Sequence, residues 1–194
     1  MAAESFKIWF GCRFAGKPAP SQLTVAEKTL LAKYAAGRRR LVEIGVYFGA
    51  STRLLRSVMA PDGEIVGVDP FFRGRLGVPF QKWTARRQLE NSTNGSARLI
   101  EAFSQDAAKS WSGPIDFLFI DADHTWDGID RDWKDWSKFI EPGGVVALHD
   151  ALSVASRADE DSVRYYAEVV AKDPRFEPVE GVDSLAVVRR LKTS

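Results

Sequence analysis

Residues 41 to 69 constrain the fold more than any other stretch. Leu41-Val42-Glu43-Ile44 is a short apolar run that enters glycine-rich sequence, and Ala50 to Met59 carries a helical pattern. After the turn residues Pro61-Asp62-Gly63, a second apolar run, Glu64-Ile65-Val66-Gly67-Val68-Asp69, ends in an acid. A strand, a helix and a strand in that order make a βαβ unit, whose two strands lie parallel. Parallel strands are covered on both faces, so the rest of the chain must supply helices for two layers.

The following residues keep that rhythm. Strands are expected at Ala97 to Ala102, Ile115 to Asp121 and Gly143 to His149, with helical stretches at Gln81 to Asn91, Gln105 to Ser110 and Trp126 to Ile140. The unbroken run Phe117-Leu118-Phe119-Ile120 fits a strand buried on both sides. A helix from Leu23 to Ala36 precedes the first strand and stops at Gly37. After a helix from Asp161 to Lys172, the runs Phe176 to Glu180 and Leu185 to Leu191 are joined by Gly181-Val182-Asp183 and read as a hairpin. The expectation is an α/β chain with a doubly wound, mostly parallel sheet of seven strands ending in an antiparallel hairpin. The 194 residues suit one core. We divide 1–194 as a single domain, with 1–37 as an N-terminal helical cap and 71–95 and 152–161 as lids over a substrate.

Several function classes drop out on charge and composition. A formal net charge of +1 leaves no global field to draw the chain to nucleic acid or an anionic membrane. The basic groups Arg38 to Arg40, Arg73, Arg75, Arg86 and Arg87 read as solvated faces balanced by nearby acids. The single cysteine, Cys12, has no partner for a disulfide or a thiolate zinc site. Glu4, Lys7 and Arg13 interrupt the apolar residues at the start, which excludes a signal-peptide core or membrane span there. A cytoplasmic protein is expected, with a homo-oligomer left open.

In an open parallel sheet, ligands sit beyond the carboxyl ends of strands, where strand order reverses. After the first strand comes Gly45-Val46-Tyr47-Phe48-Gly49-Ala50-Ser51-Thr52. Its glycines let backbone approach a ligand, and the helix that Ser51-Thr52 open offers free N–H groups to an anion. The spacing Gly-x-x-x-Gly departs from the dinucleotide pattern, so an amino-acid carboxylate fits better than a pyrophosphate. Asp69, at the end of the second strand, is placed to accept from ribose hydroxyls.

From Leu41 to Asp150 the chain resembles the class I S-adenosylmethionine-dependent O-methyltransferases of the metal-dependent, small-molecule branch. The residues that carry the likeness are Glu43-Ile44-Gly45-Val46-Tyr47-Phe48-Gly49-Ala50-Ser51 and Ser104-Gln105-Asp106. They are similar to the cofactor loop and adenine segment of the catechol and caffeoyl-CoA type. The resemblance implies a Rossmann-like fold, with S-adenosylmethionine converted to S-adenosylhomocysteine. Glu43, Gly45, Tyr47, Gly49 and Ser51 would surround its methionine part, Asp69 would hold its ribose, and Ser104 and Gln105 would meet its adenine, with Asp121 also beside the cofactor.

Both histidines follow strands and stand beside acids, in Asp121-Ala122-Asp123-His124 and in His149-Asp150. Oxygen and imidazole donors together suit a hard or borderline divalent ion such as Mg²⁺. The resemblance implies metal ligands at Asp121, His149 and Asp150, with His124 as the base. Histidine as base is similar to the macrolide-sugar O-methyltransferases, whereas the catechol type uses lysine. His149 departs from both, because imidazole replaces a carboxylate there; it can instead orient Asp150 or act on the substrate. Asp123 supports a ligand or is a surface acid. Trp126 stands nearer this site than Trp133 and Trp136, which read as packing of their helix on the sheet. The partner is then a small-molecule hydroxyl, a sugar, glycan precursor or polyketide alcohol first and a catechol or phenol second. A non-catalytic S-adenosylmethionine-binding module is the reading from another class.

Overall fold

A computed structural model describes residues 2–73, 77–91, 94–154 and 160–192. Helices α1 (Ala2–Phe14) and α2 (Val25–Ala35) precede the alternating elements β1 (Arg40–Ile44), α3 (Ala50–Val58), β2 (Glu64–Asp69), α4 (Phe80–Glu90) and β3 (Ser96–Glu101). Then come α5 (Ser104–Ser110), β4 (Ile115–Ile120), α6 (Trp126–Trp136) and β5 (Ile140–Leu148). Helix α7 (Asp161–Glu168) leads into β6 (Phe176–Val182) and β7 (Leu185–Arg190). The strands form one seven-stranded sheet in the order β3-β2-β1-β4-β5-β7-β6. Strands β1 to β5 pair in parallel, and β7 runs antiparallel to both β5 and β6. The expected doubly wound sheet and terminal hairpin are therefore present.

Alternation along the central strands feeds two apolar layers. Leu118 and Ile120 face Trp133, Trp136 and Tyr165, while Phe117 and Phe119 face Leu31 and Leu55. β4 is buried along its whole length, and its one acid, Asp116, accepts hydrogen bonds from the Arg39 and Arg40 backbone at 2.8 and 2.9 Å. That carboxylate ties the start of β1 to its neighbour.

Three details differ from the sequence reading. Within the segment 1–37 read as a helical cap the sequence placed a helix only at Leu23 to Ala36; helix α1 was not placed, because Ile8, Trp9 and Phe10 at successive positions blur any single apolar stripe. It docks through ring contacts, with Phe6 and Trp9 each 5.4 Å from Phe80 and Trp9 5.8 Å from Trp83. Strand β5 begins at Ile140 rather than Gly143, with a register shift in its pairing to β4. The hairpin turn is Asp183-Ser184, since β6 continues to Val182 and pairs with Leu185. Asp183 takes a φ of 49°, a left-handed conformation that aspartate tolerates, and accepts from the Thr24 hydroxyl at 2.7 Å. The lids expected at 71–95 and 152–161 fall partly on 74–76, 92–93 and 155–159, which lie outside the described residues, as does Arg75. Among the described residues no helix is long and apolar enough to cross a membrane.

Candidate active site

The chain lays down β1, β2 and β3 outward and then returns to place β4 on the other side of β1, so strand order reverses between β1 and β4. Such a reversal leaves a crevice at the carboxyl ends of the strands. A cleft of about 870 Å³ opens there. Gly45, Tyr47 and Ser51 line it after β1, Asp69 after β2, and Ser104 and Gln105 after β3. Asp121 and His124 follow from β4, and Asp150 from β5. Glu43, Gly49 and His149 are not part of that wall.

Gly45 has a φ of +90°, and a Cβ on it would lie 2.0 Å from the Asp121 carbonyl oxygen. Only glycine lets the ends of β1 and β4 approach this closely. Gly49 opens α3 at a φ of +82°, and its Cβ would meet Ala85 Cα at 2.8 Å. It lets α3 pack closely on α4. Asp69 shapes the loop between these glycines. Its Oδ2 accepts from the Val46 and Tyr47 N–H groups at 2.9 Å each, and its Oδ1 from Phe71 at 2.6 Å. Burial pushes the Asp69 carboxyl up, and the three backbone donors pull it back. A carboxylate offers about four lone-pair sites, so capacity remains for ribose hydroxyls. Tyr47, Phe71 and Asp150 all have positive φ, at 53°, 45° and 52°. Strained backbone thus clusters after β1, β2 and β5, around the cleft.

Glu43 lies beneath the loop, wholly buried, with neither carboxylate oxygen hydrogen-bonded within the protein. Burial pushes its carboxyl up to about 8, opposed by the nearby hydroxyls of Ser51 and Thr52. Across the cleft, the Ser104 hydroxyl donates to Asp132, a buried acid that burial pushes up to about 6. Sequence reasoning missed Asp132. The signal is its position on the apolar stripe of α6, with Ile129, Trp133 and Trp136, where an acid has no packing role.

The two histidines interleave with the acids. His124 is half-exposed, with Nδ1 3.2 Å from Asp150 Oδ2 and Nε2 3.8 Å from Asp121 Oδ1. His149 is buried behind it, with Nδ1 3.0 Å from Asp121 Oδ1 and 3.6 Å from Asp150 Oδ2. The opposite nitrogen of His149, Nε2, faces Glu27 Oε2 at 3.6 Å. Burial works against a charged His149 ring, but the hydrogen bond to Asp121 and the charges of Asp121, Asp150 and Glu27 outweigh it and raise its pKa. Glu27 is another acid on an apolar helix stripe that sequence reasoning missed. Its Oε1 accepts from the Ser184 N–H and hydroxyl at 3.0 and 2.7 Å, and its Oε2 from the Thr24 N–H at 2.8 Å.

The expected metal set of Asp121, His149 and Asp150 does not fit an ion as these side chains stand. A ligating imidazole turns an unprotonated nitrogen to the metal. Nδ1 of His149 faces Asp121 and Asp150 while Nε2 faces Glu27, a carboxylate pairing that the far nitrogen of a ligating histidine also takes, and the ring is not part of the cleft wall. Among the described residues no group of three or more His, Cys, Asp or Glu is arranged to hold a metal ion.

Known proteins agree with this architecture. A methyltransferase-domain family model matches residues 42–151, from β1 to just past β5. Tricin synthase 1 of rice is 31% identical over 174 residues, 80% of this chain and 68% of that protein. Caffeoyl-CoA O-methyltransferase of Mesembryanthemum crystallinum is 30% identical over 172 residues, covering 79% of this chain and 65% of the relative's own length. In fold, the O-methyltransferase TomG from Streptomyces achromogenes, solved in complex with SAM, superposes with a TM-score of 0.69 at 19% identity, over 97% of this chain and 89% of that one. The O-methyltransferase from Bacillus cereus, in complex with SAH, gives 0.65 at 20% identity over 98% and 90%. By the matched span, the relatives and the shared sheet, the chain belongs to the methyltransferase-domain family, among the class I S-adenosylmethionine-dependent O-methyltransferases.

Proposed function

We propose that the protein transfers the methyl group of S-adenosylmethionine to a hydroxyl oxygen of a small molecule, with His124 as the base. The observation that carries this reading is the placement of His124 on the cleft wall, against Asp150, at the strand reversal where Gly45 to Ser51, Asp69 and Ser104-Gln105 converge. Bound in the cleft, S-adenosylmethionine supplies an activated methyl on a positively charged sulfur. The α3 N-terminus at Ser51 suits its carboxylate, Asp69 its ribose, and Ser104 and Gln105 its adenine, while Glu43 lies buried beneath the loop that meets the methionine part. His124 takes the hydroxyl proton as oxygen bonds to the methyl carbon. The carbon–sulfur bond breaks with its electron pair left on sulfur, which becomes a neutral thioether. Asp150 orients the imidazole and stabilises it once protonated. The divalent cation that the sequence resemblance implies has no step in this reading, because among the described residues no group of three or more His, Cys, Asp or Glu is arranged to hold one.

The acceptor class follows from the base. A phenol, with a pKa of about 10 like the tyrosine side chain, gives its proton to imidazole far more readily than a sugar or polyketide alcohol. Tyr47, Phe72 and Phe103, exposed along the cleft, offer ring faces to a planar acceptor. A phenolic or catecholic hydroxyl is therefore the first reading. Sugar and polyketide alcohols are the second, since the same rings stack on sugar faces. A paired screen with labelled S-adenosylmethionine, phenols against glycosides and aliphatic alcohols, tests this; turnover confined to the alcohols overturns the phenolic assignment.

Glu43 yields a prediction on the cofactor side. Its carboxyl titrates at about 8 in the folded protein against 4.5 as a free side chain. The folded state therefore holds a proton that the unfolded chain has released over that window, and stability falls as pH rises from 4.5 to 8. Glu43→Gln should flatten that slope and raise the melting temperature of the free protein at pH 8. The same variant should weaken S-adenosylhomocysteine binding by no more than about tenfold, through altered hydrogen bonding beneath the loop, because Glu43 is not part of the cleft wall. Melting curves at pH 5 and 8 with calorimetric titration check both; an unchanged pH slope removes the buried-acid assignment.

A further inference from the structure

No residue of α1 lines the cleft, and the helix is apolar on two faces rather than one. Its inner face is accounted for. Gly11 and Cys12 are buried there, and the Trp9 ring lies against Phe80 and Trp83 of α4. Phe6, Phe10 and Phe14, four residues apart, share a second stripe that points roughly opposite to Cys12. They are 45%, 50% and 61% exposed, and their rings form a row, with centroids 6.0 Å apart from Phe6 to Phe10 and 5.0 Å from Phe10 to Phe14. The outer face of a helix on a globular protein is ordinarily polar. Scattered exposed rings need no explanation, but a contiguous row of them marks a contact surface.

The charges around this row differ from those on the rest of the surface. Helical spacing puts Lys7 on one side of the stripe and Arg13 on the other, and Lys17 follows where the chain leaves the helix. The Arg13 guanidinium lies over the Phe14 ring, 5.1 Å from its centroid. Elsewhere surface cations sit opposite acids, as Lys33 does with Glu180, Arg40 with Glu141 and Lys134 with Asp130. Among the described residues no ion pair holds Lys7, Arg13 or Lys17. Residues 1–17 carry these three cations against one acid, Glu4, a local excess of +2 that the chain total of +1 conceals.

We propose that α1 seats the protein on an anionic lipid surface. The Phe6, Phe10 and Phe14 rings enter the boundary between headgroups and acyl chains, and Lys7, Arg13 and Lys17 meet the lipid phosphates. At 13 residues, with charges along its length, the helix lies in the interface and does not span the bilayer. The long stems of the cations keep their charged ends at headgroup level while the rings go deeper. The inner face stays docked on α4, so the whole domain is carried on the surface. A second copy fits this face less well, because a symmetric contact would bring six cations together against two glutamates.

Co-sedimentation of the full-length protein with vesicles tests the proposal, using phosphatidylcholine alone and an equal mixture of phosphatidylcholine and phosphatidylserine. The expected result is binding about tenfold or more stronger to the mixed vesicles. That binding should weaken as salt rises from about 0.1 to 1 M, where the Debye length shrinks from about 10 to 3 Å. Phe10→Ser combined with Phe14→Ser, and separately Lys7→Glu combined with Arg13→Glu, should each lower the partition coefficient about tenfold or more. Both pairs lie on the outer face, so the melting temperature and the affinity for S-adenosylhomocysteine should stay at wild-type values. No binding to either vesicle, equal binding to both, or double variants that bind like wild type would overturn the proposal. So would a dimer in sedimentation equilibrium that the Phe10→Ser and Phe14→Ser pair converts to monomer, since a second copy would then be what covers the stripe.

Discussion

Replacing His124 with alanine should lower methyl transfer by about 10²- to 10⁴-fold, the range for loss of a general base. The affinity for S-adenosylhomocysteine should stay within about twofold of wild type, because the base acts on the acceptor proton in the transition state. His124 stands at the Asp121 and Asp150 end of the cleft, while the loop of Gly45 to Ser51, Asp69 and the Ser104-Gln105 pair form the cofactor end. No backbone hydrogen bond of the loop depends on the ring, since Asp69 supplies those acceptors. The variant should also fold normally, because His124 is half-exposed and outside both apolar layers. Single-turnover transfer and calorimetric titration, run on the same preparation, separate chemistry from binding. Full transfer in His124→Ala would remove it as the base.

Gly45→Ala is the second large effect, and it acts on the fold and the site together. The added methyl would meet the Asp121 carbonyl oxygen at 2.0 Å and the Asp121 carbonyl carbon at 2.6 Å, both backbone atoms of the adjacent strand end. It would also sit at a φ of +90°, which an L side chain rarely adopts. Strain and overpacking together should cost about 3 kcal/mol or more. For a chain of this length each kcal/mol lowers the melting temperature by roughly 2–4 °C. Gly16→Ala is the control, since Gly16 shares a positive φ of 64° but has nothing within 4 Å of its Cβ direction. It should cost no more than about 1–3 kcal/mol from conformation alone. The relief available to Gly45→Ala is to part β1 from β4 at their ends, so S-adenosylhomocysteine binding should fall as well. Equal melting temperatures for the two variants would contradict the close approach at the switch point.

The sheet was readable because its signal is local. Apolar runs of five or six residues ending in glycine or an acid, spaced by helical patterns, specify parallel strands residue by residue, and β1 to β4 lie within a residue or two of their expected bounds. The cleft residues after β1, β2, β3 and β4 were readable for the same reason, since strand ends converge in this topology. Features set by contacts between distant segments were not. Helix α1 shows no clean apolar stripe and is held by rings of α4 some seventy residues away. Glu27 and Asp132 look like ordinary helix acids until their stripes are drawn, when each falls among buried leucines or tryptophans. His149 was read as a ligand from its neighbour Asp150, and its contact with Glu27, which lies 122 positions earlier in the sequence, was not visible there. The packing role of Gly49 was not readable, because it depends on the approach of Ala85 from α4.

The central claim, methyl transfer to oxygen at this cleft, is tested most directly by NMR of the product made from S-adenosylmethionine carrying a carbon-13 methyl group. The account predicts a labelled O-methyl resonance, one S-adenosylhomocysteine formed for each product, and near-complete loss of that resonance with His124→Ala. A labelled methyl on nitrogen, or an O-methyl signal of equal intensity from His124→Ala, would contradict it.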